Sequence, residues 1–179
     1  RLDGLTVTKG GTTTTGAAYI GWNGTYSFNA DARGMAVETL AVATMSSGPG
    51  FTGLLDFSAS GSGTFDLPRY DVKLGVRDLF YGDEGVGEIS GRLSVRDTVL
   101  TYEVEVASNR LAASGTGRVA LTDEMDAELS FRVTDTSLDP YLRAFQPQLS
   151  PFTSAVASGA IRIVGELYNP DALRVDVEV

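Results

Sequence analysis

The feature that most constrains this chain is an alternation of apolar and polar residues with a period of two. From Thr25 to Arg33 the even positions are Tyr26, Phe28, Ala30 and Ala32, and every odd position is polar. The pattern returns in Tyr70-Val72-Leu74-Val76 against Asp71, Lys73 and Arg77, and in Ile89-Gly91-Leu93-Val95 against Ser90, Arg92, Ser94 and Arg96. It returns again in Tyr102-Val104-Val106 against Glu103 and Glu105, and in Ala127-Leu129-Phe131-Val133 against Asp126, Glu128, Ser130 and Arg132. Successive side chains of a strand point to opposite faces, so each stretch is predicted to be a strand with one apolar face and one wet face. Near the end, Ile161, Ile163 and Leu167 oppose Arg162 and Glu166, and Leu173 to Val179 alternates without exception after the turn residues Asn169-Pro170-Asp171.

The joints decide how these strands pair. Gly82-Asp83-Glu84, Asp97-Thr98, Ser108-Asn109 and Asp123-Glu124 are too short for a parallel crossover, which needs a dozen or more residues, so the neighbours must be antiparallel. Residues 70–134 are therefore predicted to form a five-strand meander, and a doubly wound α/β fold is excluded. The chain holds 21 glycines, many inside strand patterns, among them Gly53, Gly61, Gly63, Gly75, Gly87, Gly91, Gly115, Gly117 and Gly165. Glycine weakens a strand, and its repeated use there points to bulges, bending and close backbone approach.

The fold expected is mainly β: a curved antiparallel meander, taco-like or a half-open barrel, with a concave apolar groove and one short amphipathic helix. The alternation is the same for a trough and for a barrel. The groove is expected to be lined by Phe28, by Leu74 and Val76, by Leu93 and Val95, by Tyr102 and Val104, by Leu129 and Phe131, by Ile161 and Ile163, and by Val175 and Val177. The helix is predicted over Ser137–Phe145, where Leu138, Tyr141, Leu142 and Phe145 recur at helical spacing, with Ser137 or Asp139 capping it and Pro140 in its first turn. It would lie on the concave face as a lid. Gln146 to Ser158, with Phe152 and Val156, would be an irregular or weakly helical cover packed on the sheet.

Four local expectations complete the outline. The threonine-rich Gly10–Gly16 should be a loop or an edge strand. Ala43–Gly53 should be a second loop. Asn23-Gly24 should turn a two-residue hairpin, an explanation sufficient without reading Asn23-Gly24-Thr25 as a glycosylation site. Tyr19 and Trp22 should pack at a sheet edge.

Composition narrows the function. Hydrophobic residues make up 42% and charged residues 21%, the balance of a folded protein, and 179 residues suit one β-rich domain. The 14 basic residues are scattered singly and the net charge is −9, so nucleic acid is not an expected partner, nor is an anionic membrane surface held by a basic patch. Without cysteine or histidine there is no thiolate zinc site, no disulfide and no Ser-His-Asp or Cys-His arrangement. The acidic pairs Asp83-Glu84, Asp123-Glu124 and Glu103/Glu105 fall in joints or on a wet face and lack the spacing of a calcium loop. An enzyme is not expected, and no cofactor. No apolar run approaches a membrane-spanning length.

The closing stretch SLDPYLRAFQPQLSPFTSAVASGAIRIVGELYNPDALRVDVEV, residues 137–179, resembles the unit that recurs in the TamB and AsmA-like families of bacterial envelope proteins. That unit has a short helix of the form Leu-x-Pro-Tyr-Leu, then a Ser-Gly strand with alternating hydrophobics, a turn with proline, and another alternating strand. Ser158-Gly159, Ile161, Ile163, Gly165, Leu167, Asn169-Pro170 and Leu173 stand at those positions. Residues 25–134 share the glycine-punctuated β style. The resemblance implies a periplasmic conduit whose parent chain is anchored in the inner membrane. Its taco-like sheet carries phospholipid acyl chains toward the outer membrane, with an outer-membrane barrel protein as partner in protein assembly, and it implies no catalytic residues. On this reading residues 1–179 are a piece of a longer repetitive β chain that stops in mid-strand. The competing expectation is a structural or interaction module, a closed sandwich or solenoid of a surface protein, in which the same apolar residues are only core.

Overall fold

The computed structural model of the chain describes residues 1–9, 11–39, 50–108, 111–137 and 155–179. They form β1 (Leu2–Lys9), β2 (Thr12–Ile20), β3 (Thr25–Ala36), β4 (Phe51–Thr64), β5 (Pro68–Tyr81), β6 (Glu84–Arg96), β7 (Val99–Ala107), β8 (Ala112–Ala120), β9 (Asp126–Ser137), β10 (Val156–Glu166) and β11 (Arg174–Glu178). All eleven lie in chain order in one antiparallel sheet. The hydrogen-bonded order begins at β1 and stops at β11, so the sheet is open and has two edges. Among the described residues there is no α-helix and no second sheet.

Local chemistry explains the meander. Gly82-Asp83 joins β5 to β6 with Gly82 at φ 60°, and Asp97-Thr98 joins β6 to β7 with Asp97 at φ 55°. Positive φ at the first turn residue matches the twist of a two-residue hairpin, and Gly and Asp are among the residues that tolerate it. The Asp97 N–H is also taken by the Pro68 carbonyl, 2.9 Å away at the start of β5.

The strands are interrupted by bulges that fall largely at one end of the sheet. Register shifts occur between Ala32 and Met35, Thr52 and Leu54, Val76 and Leu79, and Ala157 and Gly159. Since β3, β5 and β9 run opposite to β4, β6 and β10, these positions share an end. The residues at positive φ there include Gly34 (63°), Asp78 (51°) and Asp135 (41°). An extra residue bends a strand and reverses which residues face inward. After Val76 the inward position passes to the buried Leu79, and after Val133 it passes to Thr136, which is 1% exposed. The Thr136 hydroxyl accepts the Ala112 N–H and donates its one proton to the Thr134 carbonyl oxygen at 3.1 Å, with the Ala112 carbonyl oxygen at 3.4 Å the alternative acceptor.

Several expectations are corrected. Thr12–Ile20 is neither loop nor edge strand: β1, which was not expected, pairs with it from outside, because the threonine run has the β propensity to serve as an inner strand. The expected loop at 43–53 gives way at Phe51, where β4 begins; residues 43–49 lie outside the described residues. The turn at Asn23-Gly24 spans four residues, Gly21 to Gly24. The Gly21 N–H donates to the Thr25 carbonyl at 2.8 Å, and the Asn23 carboxamide oxygen accepts the Thr25 hydroxyl at 2.7 Å. That turn carries the Trp22 side chain away from the sheet, fully exposed rather than packed at an edge, and Tyr19 is also exposed. Val156 to Ser158 belong to β10 rather than to an irregular cover, because their backbone pairs with β9. Ser137 ends β9, and the rest of the predicted helix, with Leu138, Tyr141, Leu142 and Phe145, lies outside the described residues.

Candidate functional site

Antiparallel partners share a face, so the register can be read across the sheet as rows of side chains. One row runs Phe28, Gly61, Tyr70, Val95, Leu100, Val119, Ala127. The next runs Ala30, Ala59, Val72, Leu93, Tyr102, Gly117, Leu129, Ile163, Val175, and the third Ala32, Phe57, Leu74, Gly91, Val104, Gly115, Phe131, Ile161, Val177. A fourth runs Leu55, Val76, Ile89, Val106, Ala113, Val133. Every residue proposed from the sequence to line the groove stands in one of these rows, on one face. No charged side chain occupies any of them.

The glycines in the rows are spaces for their neighbours. A Cβ on Gly61 would meet the Phe28 and Tyr70 rings, and one on Gly115 the Phe131 ring and Val104. On Gly117 it would meet the Glu128 carbonyl oxygen at 2.7 Å and the Tyr102 ring at 2.7 Å. Large side chains lean over the missing ones. Two strands apart, side chains of a flat sheet would stand about 9.5 Å from each other. Yet the ring centroids of Phe28 and Tyr70, separated by β4, are 5.9 Å apart, and those of Tyr102 and Phe131, separated by β8, are 6.3 Å apart. Tyr26 joins the first group, with its ring centroid 5.4 Å from that of Phe65.

Burial along the rows is uneven. Val95, Val119 and Ala127 are buried in the middle of the sheet, whereas Ile161 is 41% exposed, Val175 54% and Val177 61% at the β11 edge. At the other edge Leu2, Leu5 and Val7 are exposed too. Among the described residues, two side-chain oxygens are buried on this face without a hydrogen-bond partner, the hydroxyls of Tyr26 and Tyr102. Approach to the Tyr26 hydroxyl, followed by burial, raises the pKa of Tyr70, although the two phenols do not reach hydrogen-bond geometry; burial alone raises that of Tyr102.

The opposite face is wet. Arg96 holds both oxygens of Asp71 at 2.8 Å, Arg77 bridges to Asp56 at 3.1 Å, and Arg162 pairs with Glu128. These exposed pairs each contribute little to stability. Glu103, Glu105, Asp83, Asp123 and Glu124 are all exposed, and among the described residues no three acidic side chains gather as a metal site would need.

Sequence reasoning missed Leu55, Phe57 and Ala59 of β4, the inward-turned Leu79 and Thr136, and Val119. The β4 residues carried a signal, since Leu55, Phe57, Ala59 and Gly61 alternate with Asp56, Ser58 and Ser60. Leu79 and Thr136 follow a shift of phase in the alternation, marked each time by an Asp. No family model, curated protein or solved structure matches the chain.

Proposed function

We propose that the apolar face is a bed for lipid acyl chains, in a segment of a TamB- or AsmA-like conduit between the two membranes of a bacterial envelope. The observation that carries this reading is the set of uncharged rows running across the sheet with no second sheet over them among the described residues. A single layer with a continuous apolar face needs an occupant, because exposed apolar patches of that extent mark binding surfaces. The convergence of rings across Gly61, Gly115 and Gly117 supports a face that is concave and taco-like. Leu138, Tyr141, Leu142 and Phe145 are the proposed lid.

Energetics suit a conduit. Transferring ~14 acyl methylenes from water to such a bed gains about 11 kcal/mol at ~0.8 kcal/mol per methylene, and a bilayer offers the same. Exchange between bilayer and bed is then near neutral, and loss to water is strongly disfavoured. The reading places the chain in the periplasm, with an inner-membrane anchor on its parent and an outer-membrane barrel protein as a further partner. The second reading, a structural or interaction module, draws on the edges at β1 and β11, beyond which no strand pairs among the described residues and which offer backbone donors and acceptors to another strand.

The test is direct. The purified chain is mixed with phospholipid vesicles, separated from them and analysed by native mass spectrometry. Bound phospholipid is expected, and its loss on Leu93→Asp or Val104→Asp in a chain that remains folded by circular dichroism. A wild-type chain that emerges free of lipid overturns the reading.

A further inference from the structure

We propose that Tyr26 and Tyr102 are the polar contacts of the acyl bed, each hydroxyl donating a hydrogen bond to an ester carbonyl oxygen of a lipid. The inference rests on the reading of the apolar face as an acyl bed and adds the chemical class it selects. Among the described residues these two hydroxyls are the buried side-chain oxygens or nitrogens without a partner, and both belong to the face that the rows define. Tyr26 is 8% exposed. Buried polar groups are paired in nearly all proteins, and leaving one unpaired costs stability, so an orphan pair on a single face calls for an explanation outside the chain.

The surroundings specify the acceptor. The rows that hold or adjoin the two tyrosines contain no Arg or Lys to neutralise a carboxylate or phosphate. A buried anion without a counter-charge is strongly disfavoured, whereas a neutral carbonyl is not. Burial also keeps the Tyr102 phenol protonated, so it remains a donor throughout the physiological pH range. An acyl ester supplies that combination, with hydrocarbon for the apolar rows and an uncharged carbonyl acceptor at the head of each chain. A ligand reaches these hydroxyls only as the side chains that cover them part around it.

The experiment offers the chain vesicles with equal amounts of diester phosphatidylcholine and its diether analogue, which has the same chains and headgroup without the carbonyls. Native mass spectrometry reads the ratio retained. The wild-type chain is expected to favour the diester about fivefold, the effect of one neutral hydrogen bond. In the Tyr26→Phe/Tyr102→Phe double variant the ratio is expected to fall to about one, with a melting temperature no lower than that of the wild type, because no partner has been lost. A wild-type ratio of one overturns the inference and leaves the acyl-bed reading standing, and so does a preference that survives the double substitution. Uptake of neither lipid by the wild-type chain overturns both.

Discussion

The middle of the sheet and its β11 edge are written in the same alternating code and end in different physical states. In β5 to β9, large side chains lean over Gly91, Gly115 and Gly117, and Val95 and Val119 are withdrawn from water. In β10 and β11, Ile161, Val175 and Val177 continue the same rows to the last strand of the described sheet and remain exposed. Alternation therefore states which face is apolar but not whether that face is sealed. Sealing comes from flanking strands on both sides and from glycines that let neighbours close over the gap.

The sharpest way to break this comparison is to fill a gap in the middle. Gly117→Val would drive a side chain against the Glu128 carbonyl and the Tyr102 ring. We expect a loss of about 3 kcal/mol in urea unfolding, the upper range for overpacking. A loss below about 0.5 kcal/mol would show that the rings are not held over the glycine. Next in size is a matched pair of truncations. Val95→Ala, at a site 7% exposed, should cost about 2 kcal/mol, whereas Val177→Ala at the edge should cost less than about 0.5 kcal/mol. Equal costs would mean that the edge is sealed in solution by another strand. Thr136→Val sits between them. It keeps the shape but leaves the Ala112 N–H short of its acceptor, and should cost about 1 kcal/mol.

Legibility in the sequence followed the same division. The strands β5 to β9 and their antiparallel order could be read from alternation and joint length, because both depend only on neighbours along the chain. The residues of the apolar face could be read too, since Leu93 and Ile163 reach a common face through parity alone. The bulges could not be read as easily: at Asp78 and Asp135 the parity flips, so Leu79 and Thr136 turned inward against the pattern. β1 was missed because Gly4, at φ 62° in its bulge, breaks the alternation between Leu2 and Leu5. The orphaned Tyr26 and Tyr102 hydroxyls were out of reach, because satisfaction of a polar atom is a property of three-dimensional neighbours.

The smallest effect separates two bulges built alike from different chemistry. In the β3–β4 bulge, the Gly34 N–H donates to Asp56 Oδ1 at 2.7 Å; in the β9–β10 bulge, the Asp135 N–H donates to the Ser158 hydroxyl at 2.9 Å. In each, an oxygen on the facing strand takes the donor that the bulge has freed from the ladder. Only the first acceptor is a carboxylate. The Gly34 N–H, and then Arg77, hold the Asp56 pKa below its ordinary value of 3.8 against an opposing contribution from desolvation. A carboxyl whose folded pKa is depressed stabilises the fold fully above its unfolded value, and that stabilisation is lost as pH falls through the folded one. Protection of the Gly34 amide, corrected for intrinsic exchange, should therefore decline as pH falls from 5 toward and below 3.8. Asp56→Asn retains an oxygen acceptor without the charge and should remove the decline at Gly34. A decline of the same size in that variant would trace the acid sensitivity to the sheet as a whole rather than to this bulge.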